Sequence, residues 1–314
     1  MRVVIIGATG HIGTWLVPRL VRAGHDVVAV SRGARAPYHA FDEWQSARQV
    51  MIDRGRLEAE GRFGDSIAAL SPEVVIDLIS FDVPSTRQLV DALRGKVGHF
   101  IHCGTLWVHG DPPVRPYDET SPREPFGDYG IRKAEIERYL LEEAADGFPA
   151  TLLHPGHITG PGWNPINPAG NLDMTVFEEL RDGGIVTLPD DGSATLQHVH
   201  ADDVALAFGL AVEKPGQSIR ESFHVAARLP VSMRDYAEQA AEWFSRHARL
   251  EYMPWEEWRE TVSARDAELT RDHMQHSPFA SIEKARRLLG FEPRYTAVEA
   301  AKEAVMWSMG ERPA

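Results

Sequence analysis

Three glycines at positions 7, 10 and 13 constrain this chain more than any other feature. They lie in Gly7-Ala8-Thr9-Gly10-His11-Ile12-Gly13, which follows the apolar run of residues 2–6 and precedes a helix-period stretch over residues 12–23. Glycines at these places permit a tight turn, close approach of a pyrophosphate and close packing of the helix on the strand. The helix start then presents free N–H groups and the positive end of its dipole to phosphate. The spacing is GxxGxxG rather than the GxGxxG fingerprint, so its strand–turn–helix context carries the reading. A purely structural tight turn is the alternative. Pro18 falls inside the proposed helix and is expected to forfeit a hydrogen bond or kink it.

The rest of the chain continues that pattern. Apolar runs at 27–30, 74–79, 100–102 and 151–154 alternate with helix-period stretches at 86–93 and 129–145. Such alternation predicts an α/β fold with a parallel sheet and right-handed crossovers. Strands covered on both faces read as continuous apolar runs, as these do. The expected architecture is a Rossmann-type doubly wound parallel sheet with a smaller, mostly helical C-terminal substrate lobe. At 314 residues the chain exceeds the size at which single cores stop growing, so two lobes are expected. A Pro/Gly/Asn-rich loop at 160–170 breaks the rhythm. A further strand–helix pair is predicted at 196–199 and 203–212, then helices at 232–246, 255–268, 282–289 and 297–307. Ser281 is expected to cap the third of these helices and Gly290 to end it. The dinucleotide domain is therefore assigned to 1–165 plus a returning segment at about 193–226. The substrate lobe is assigned to 166–192 and 227–314.

Composition removes several classes. The 33 Lys and Arg against 46 Asp and Glu leave a net charge of −13, which disfavours nucleic acid as a partner. Cys103 is the single cysteine, so no intramolecular disulfide framework exists and a reducing, cytoplasmic setting is expected. No apolar run approaches a membrane span, and the opening run is too short for a signal peptide. The expected partner is a small-molecule substrate, and a homodimer is the expected assembly.

The end of the second strand bears on the cofactor. An NAD site expects a carboxylate there for the ribose 2′-hydroxyl. This chain has Ser31-Arg32-Gly33, with Arg35 close behind. Arginine pairs with a 2′-phosphate that a carboxylate would repel, so NADP is favoured and NAD remains the alternative.

Tyr129-Gly130-Ile131-Arg132-Lys133 carries the chemistry. Four residues apart on a helix, Tyr129 and Lys133 share a face. A free phenol has a pKa near 10, and a nearby ammonium together with a positive nicotinamide favours phenolate. With seven tyrosines and five lysines, a chance pair at this spacing is expected roughly 0.1 times. A solvated helix pair is the alternative. Thr105, after the strand at 100–102, is the candidate third member, its hydroxyl holding the substrate oxygen while Tyr129 exchanges a proton.

With these residues in view, the chain resembles an extended short-chain dehydrogenase/reductase of the NAD-dependent epimerase/dehydratase family. The resemblance runs through GATGHIG at the start, YGIRK at 129–133, HPGHITGPG at 154–162, HVHADDVA at 198–205 and the closing SIEKARRLLGFEP. It implies Thr105, Tyr129 and Lys133 as the catalytic set, with Lys133 also holding the nicotinamide ribose. It implies Gly7, Thr9, Gly10, His11, Ile12, Gly13, Ser31 and Arg32 along the dinucleotide, and Asp53 near the adenine. Leu78, Ile79 and Ser80 would flank the cofactor, and Pro155 to Ile158 would lie along the nicotinamide. Where this family's dehydratases carry Thr-Asp-Glu, the chain has Thr105-Leu106-Trp107, so dehydration is not expected. Where its sugar-nucleotide epimerases carry Asn, the chain has His157. Leu196 stands where they carry a diphosphate-gripping Arg, which disfavours a nucleotide sugar.

The resemblance thus implies an NAD(P)-dependent oxidoreductase acting on a secondary alcohol or ketone of a small polar, sugar-like substrate. A sugar or sugar-nucleotide epimerase with tightly bound NAD is the first alternative. A non-catalytic dinucleotide sensor is the second. His154 and His157 are the expected cleft imidazoles, His157 as a substrate contact. His198 and His200 with Asp202 and Asp203 have metal-like spacing but are read as structural, and no metal is expected. Trp255 and Trp258 are read as packing, and Cys103 as a buried filler.

Overall fold

The computed structural model describes residues 1–310. Six strands form in order: β1 Arg2–Ile6, β2 Asp26–Ser31, β3 Arg48–Met51, β4 Val74–Asp77, β5 His99–Cys103 and β6 Ala150–Pro155. With Ser222–Val225 they make one seven-stranded sheet in the order 222–225, β6, β5, β4, β1, β2, β3. Every pairing in it is parallel. Helices α1 His11–Arg22, α2 Arg54–Ala59, α3 Phe63–Ala68, α4 Val83–Leu93 and α5 Gly127–Ala145 supply crossovers.

The two-residue period of a strand explains the layering. Val3 and Ile5 face one buried cluster with Leu16, Val17 and Phe208. Val4 and Ile6 face the other, with Phe63, Leu89 and Leu140. Val27 and Ala29 against Val28 and Val30 repeat the division. Successive apolar residues therefore serve opposite faces, which is why these strands are apolar runs and not alternating ones. A third buried cluster, including Phe177, Leu188, Tyr236, Trp258 and Val305, lies under the segments after residue 165.

Strand order reverses between β1 and β4, and a crevice opens beyond their carboxyl ends. The chain leaves β1 through Gly7, at φ +88°, and enters α1 after Gly10. A Cβ on Gly13 would stand 2.1 Å from the Ala8 carbonyl oxygen, so helix and strand approach too closely for any side chain there.

Several expectations need correction. The segment 196–199 is not one strand returning to the main sheet. Thr195–Leu196 pairs antiparallel with Val231–Ser232, and His198–His200 pairs with His157–Thr159. The seventh main-sheet strand is Ser222–Val225, whose serine and histidine hide it among apolar runs. The helix predicted over 255–268 is two helices, Trp255–Trp258 and Ala264–His276. Ser263 separates them, its hydroxyl accepting from Asp266 N–H as a helix cap. The N-cap position of the helix Glu283–Leu289 is Ile282 and not Ser281, although Ser281 Oγ does accept from Glu283 N–H at 3.3 Å. Gly290 does end that helix in the left-handed region. Helix α1 runs unbroken through Pro18.

Candidate active site

A cleft of about 620 Å³ runs from the glycine loop to the third cluster. Gly7, Gly10, His11 and Ile12 form one end, Leu78 and Ile79 its side, and Thr105, Tyr129, Lys133 and residues 155–158 its middle. A smaller cavity of about 370 Å³ adjoins it through Gly7 and Ile79, lined also by Ser31, Arg32, Asp53 and Phe81. Together they trace one elongated groove across the ends of β1 to β5.

The residues present fit a dinucleotide. The first N–H groups of α1 have no partner within the helix, and Gly10 brings no capping side chain to them. They lie at the cleft end lined by Gly10, His11 and Ile12, where a helix start suits an anion. A Cβ on Gly7 would stand 2.8 Å from Ile79 Cγ2 at the groove wall, whereas Gly13 does not line the groove and serves the close packing of α1 on the turn. Arg32 is exposed at the smaller cavity, and no carboxylate ends β2. Asp53 lines the same cavity, but one of its carboxylate oxygens accepts Arg56 N–H as the cap of α2. Arg54, on the floor, is held by Asp77, Glu58 and Ser85. Thr9 does not line the groove, and Ser80 turns away from it. The Ser80 hydroxyl lies buried 2.8 Å from Thr86 Oγ1. What Ser80 contributes is its carbonyl oxygen.

That oxygen accepts from Lys133 Nζ at 2.7 Å, and the Cys103 carbonyl accepts from it at 2.8 Å. The buried ammonium thus ties the ends of β4 and β5 together. Burial lowers its pKa. Tyr129, one turn earlier, faces the cleft and is 43% exposed. Burial around its hydroxyl pushes the phenol up to about 12, the Cys103 thiol adds to this, and the hydrogen bond to the Thr105 side chain opposes it. Lys133 in this structure anchors two carbonyls. Thr105 Oγ1 also accepts from Trp107 N–H at 3.3 Å. Three side chains expected to act together are thus brought to one wall of the cleft, with the ammonium fixed on the ends of β4 and β5.

The histidines divide sharply. His157 lines the cleft with its Nε2 buried and without a protein partner. Burial, with His198 and His273 nearby, holds its pKa well below the ordinary value. The ring is thus kept neutral, lining the cleft with its Nε2 turned inward. His154, expected at the cleft, is fully buried behind Thr105 instead. His102 is buried on β5, away from the cleft lining. His200 Nδ1 caps the helix Ala201–Glu213 by accepting Asp202 N–H, and its Nε2 lies 2.8 Å from Glu303. Asp202 pairs with Arg19, and Asp203 accepts from Arg294 and Tyr295 N–H. Among the described residues no group of three or more His, Cys, Asp or Glu gathers as a metal site. Trp258 is buried with its Nε1 donating to Thr187 O, and Trp255 packs beside it. Burial raises the Cys103 thiol to about 11.

Sequence reasoning missed the far wall. Trp107, Trp163, Ile166, Leu172, Leu269, His273 and Pro278 close the cleft with Leu196. His11 stacks on Trp163 at 5.4 Å, so the loop 160–170 covers the glycine turn. A tryptophan inside a Gly/Pro loop was the available signal. Gln197, also lining the cleft, uses its whole amide on backbone. Nε2 donates to Ala227 O and Ala280 O, and Oε1 accepts from Ala280 N–H.

A parallel sheet with a glycine cradle at its reversal point and a Thr–Tyr–Lys wall beside it defines an enzyme of the extended short-chain dehydrogenase/reductase type. The chain belongs to the NAD dependent epimerase/dehydratase family, whose model matches residues 3–226. It is similar to 2′-dehydrokanamycin reductase of Streptomyces kanamyceticus, 29% identical over 248 residues. That match covers 76% of this chain and 65%, less than two thirds, of that protein's length. It is 27% identical to UDP-glucose 4-epimerase of Mycolicibacterium smegmatis over 97% of both chains. In structure it resembles the UDP-glucose 4-epimerase of Thermotoga maritima solved with UDP-glucose, with a TM-score of 0.73, 22% identity and 99% of each chain covered. The chain is accordingly an oxidoreductase or epimerase of an NAD-dependent family. No described helix is long and apolar enough to cross a membrane.

Proposed function

We propose that the protein is an NADP-dependent oxidoreductase acting on a secondary alcohol or ketone of a small, unphosphorylated, sugar-like or related ring substrate. The observation that carries this reading is the convergence of Thr105, Tyr129 and Lys133 on one wall of the cleft, with the Lys133 ammonium held by the Ser80 and Cys103 carbonyls. A bound nicotinamide supplies or accepts the hydride at the carbinol carbon. Tyr129 moves the proton at the substrate oxygen, and Thr105 orients that oxygen. Lys133 holds the strand ends on which the wall is built. Trp107, Ile166, Leu172 and Leu196 keep water from the reacting carbon. The His157 ring lines the same cleft and meets the substrate there.

The same cleft argues against a diphosphate on the substrate. Only Arg35 and Lys133 among its lining residues are cationic. Lys133 is tied to two carbonyls, and Arg35 donates to Tyr38 Oη at 2.6 Å. A diphosphate carries at least two charges, and those beyond the one that Arg35 can meet cost several kcal/mol each to bury. The exposed Arg32 at the smaller cavity supports NADP over NAD. The residue division into a dinucleotide domain at 1–165 with about 193–226, and a substrate lobe, is supported by the separate third cluster. The buried single Cys103 supports a reducing cytoplasm, and a homodimer is the assembly that analytical ultracentrifugation tests.

Purified protein is denatured and any released nucleotide identified, then NADPH and NADH affinities are compared. Empty protein preferring NADPH supports the reading, and stoichiometric bound NAD favours the epimerase, which regenerates its cofactor. Tyr129→Phe is expected to lower turnover by about 10²–10⁴-fold with NADPH affinity within about twofold. Retained turnover in that variant would sink the assignment of Tyr129.

A further inference from the structure

The stripe that carries Tyr129 and Lys133 continues along α5 to a third polar residue. Glu137 lies four residues beyond Lys133 on the same helix face. It is 2% exposed, so its carboxylate needs partners. Arg123 provides two, Nε donating to Oε2 at 3.0 Å and Nη2 to Oε1 at 2.7 Å. His154 provides a third, its Nε2 lying 3.1 Å from Oε1. Burial alone would raise the Glu137 pKa, but His154 and Arg123 outweigh it and hold the group ionised.

The other side of the His154 ring faces the catalytic wall. Its Nδ1 lies 3.1 Å from Thr105 N and 3.0 Å from Thr105 O. The ring presses on the backbone just before Thr105: a Cβ on Gly104 would stand 2.3 Å from His154 Nδ1. An ionised carboxylate accepts and does not donate, so the Nε2 edge of the ring gives its proton to Glu137. Nδ1 is left to the Thr105 backbone, with the Thr105 N–H directed at it at 3.1 Å.

We infer that His154 is a positioning residue: oriented by Glu137 and Arg123, it clamps the Thr105 backbone and so sets the Thr105 hydroxyl against Tyr129. This rests on the reading of Thr105 and Tyr129 as the groups that handle the substrate oxygen. Arg123 keeps Glu137 paired when His154 is replaced, so the clamp is separable from the buried ion pair. His154→Asn leaves an amide oxygen near the place of Nδ1 and still accepts from Thr105. His154→Gln reaches toward Glu137 and leaves Thr105 without an acceptor.

Three substrate-free measurements test this. In the wild-type protein with ¹⁵N-labelled histidine, His154 is expected to show a protonated Nε2 and a bare Nδ1 at neutral pH. A protonated Nδ1 overturns the clamp whatever the variants do. The Thr105 amide is expected to exchange about tenfold faster in His154→Gln and within about twofold of wild type in His154→Asn, the loss of one hydrogen bond. The Tyr129 ¹³Cζ resonance is expected to move in His154→Gln and to return in His154→Asn. Equal effects of both variants on these signals assign His154 to packing alone. Failure of the catalytic reading shows separately, as turnover retained by Tyr129→Phe.

Discussion

Acid is expected to unfold this protein well before it titrates any catalytic group. His11, His99, His109 and His276 are each under a tenth exposed, and burial lowers each to about 4 from an ordinary 6.5. The sign follows from proton counting. Between pH 6.5 and 4 the unfolded chain binds protons that the folded chain refuses, so stability falls as pH falls through that window. From pH 7 to pH 5 each such histidine costs about 1.5–2 kcal/mol. Four of them together cost about 7 kcal/mol, comparable with the whole stability of a typical domain, about 5–15 kcal/mol. His102, His157 and His224 are shifted in the same direction, chiefly by burial. The assay is urea unfolding followed by tryptophan fluorescence at pH 7, 6 and 5. His99→Gln, which keeps a polar group toward Thr151, is expected to flatten the pH slope by about one proton. Equal midpoints at pH 7 and pH 5 would refute the reasoning, because four buried neutral imidazoles cannot be indifferent to that change. The same physics warns that any loss of rate below pH 6 reports unfolding before it reports Tyr129.

Other expectations are local. Gly13→Ala drives a methyl into the Ala8 carbonyl and is expected to destabilise the fold by about 1–3 kcal/mol and weaken dinucleotide binding, read by calorimetry. Arg32→Ser is expected to weaken NADPH binding about tenfold and leave NADH unchanged; equal losses for both would remove Arg32 from the 2′-phosphate. Lys133→Met leaves the Ser80 and Cys103 carbonyls without their donor, and is expected to cost about 1–3 kcal/mol in urea unfolding beyond its effect on turnover.

What the sequence revealed was local. Gly7, Gly10 and Gly13 act within seven residues, and Tyr129 and Lys133 within one helical turn, so spacing alone exposes them. The substrate wall is not local. Trp163 comes from a loop, Leu196 from a two-residue strand and Leu269 from the helix Ala264–His276, and only packing brings them together. Ser222–Val225 escaped notice because a strand of Ser-Phe-His-Val has no apolar run. His154 was seen as a cleft residue because its position along β6 was legible and its facing was not; adjacent residues of a strand point to opposite sides. Ser263 broke a predicted helix because a hydroxyl that caps outward competes with the helix it interrupts.

The Gln197 amide, saturated by Ala227 and Ala280, joins three distant segments at the rim of the cleft. Its neighbour Leu196 faces the ligand space and makes no part of that knot. Leu196 is itself 1% exposed and packed into the third cluster, so the same side chain is both core and ligand wall. A change of size at 196 is therefore felt by the fold as well as by the ligand, and a charge there is excluded by its burial. What this rim accepts is tied to how the lobe beneath it packs.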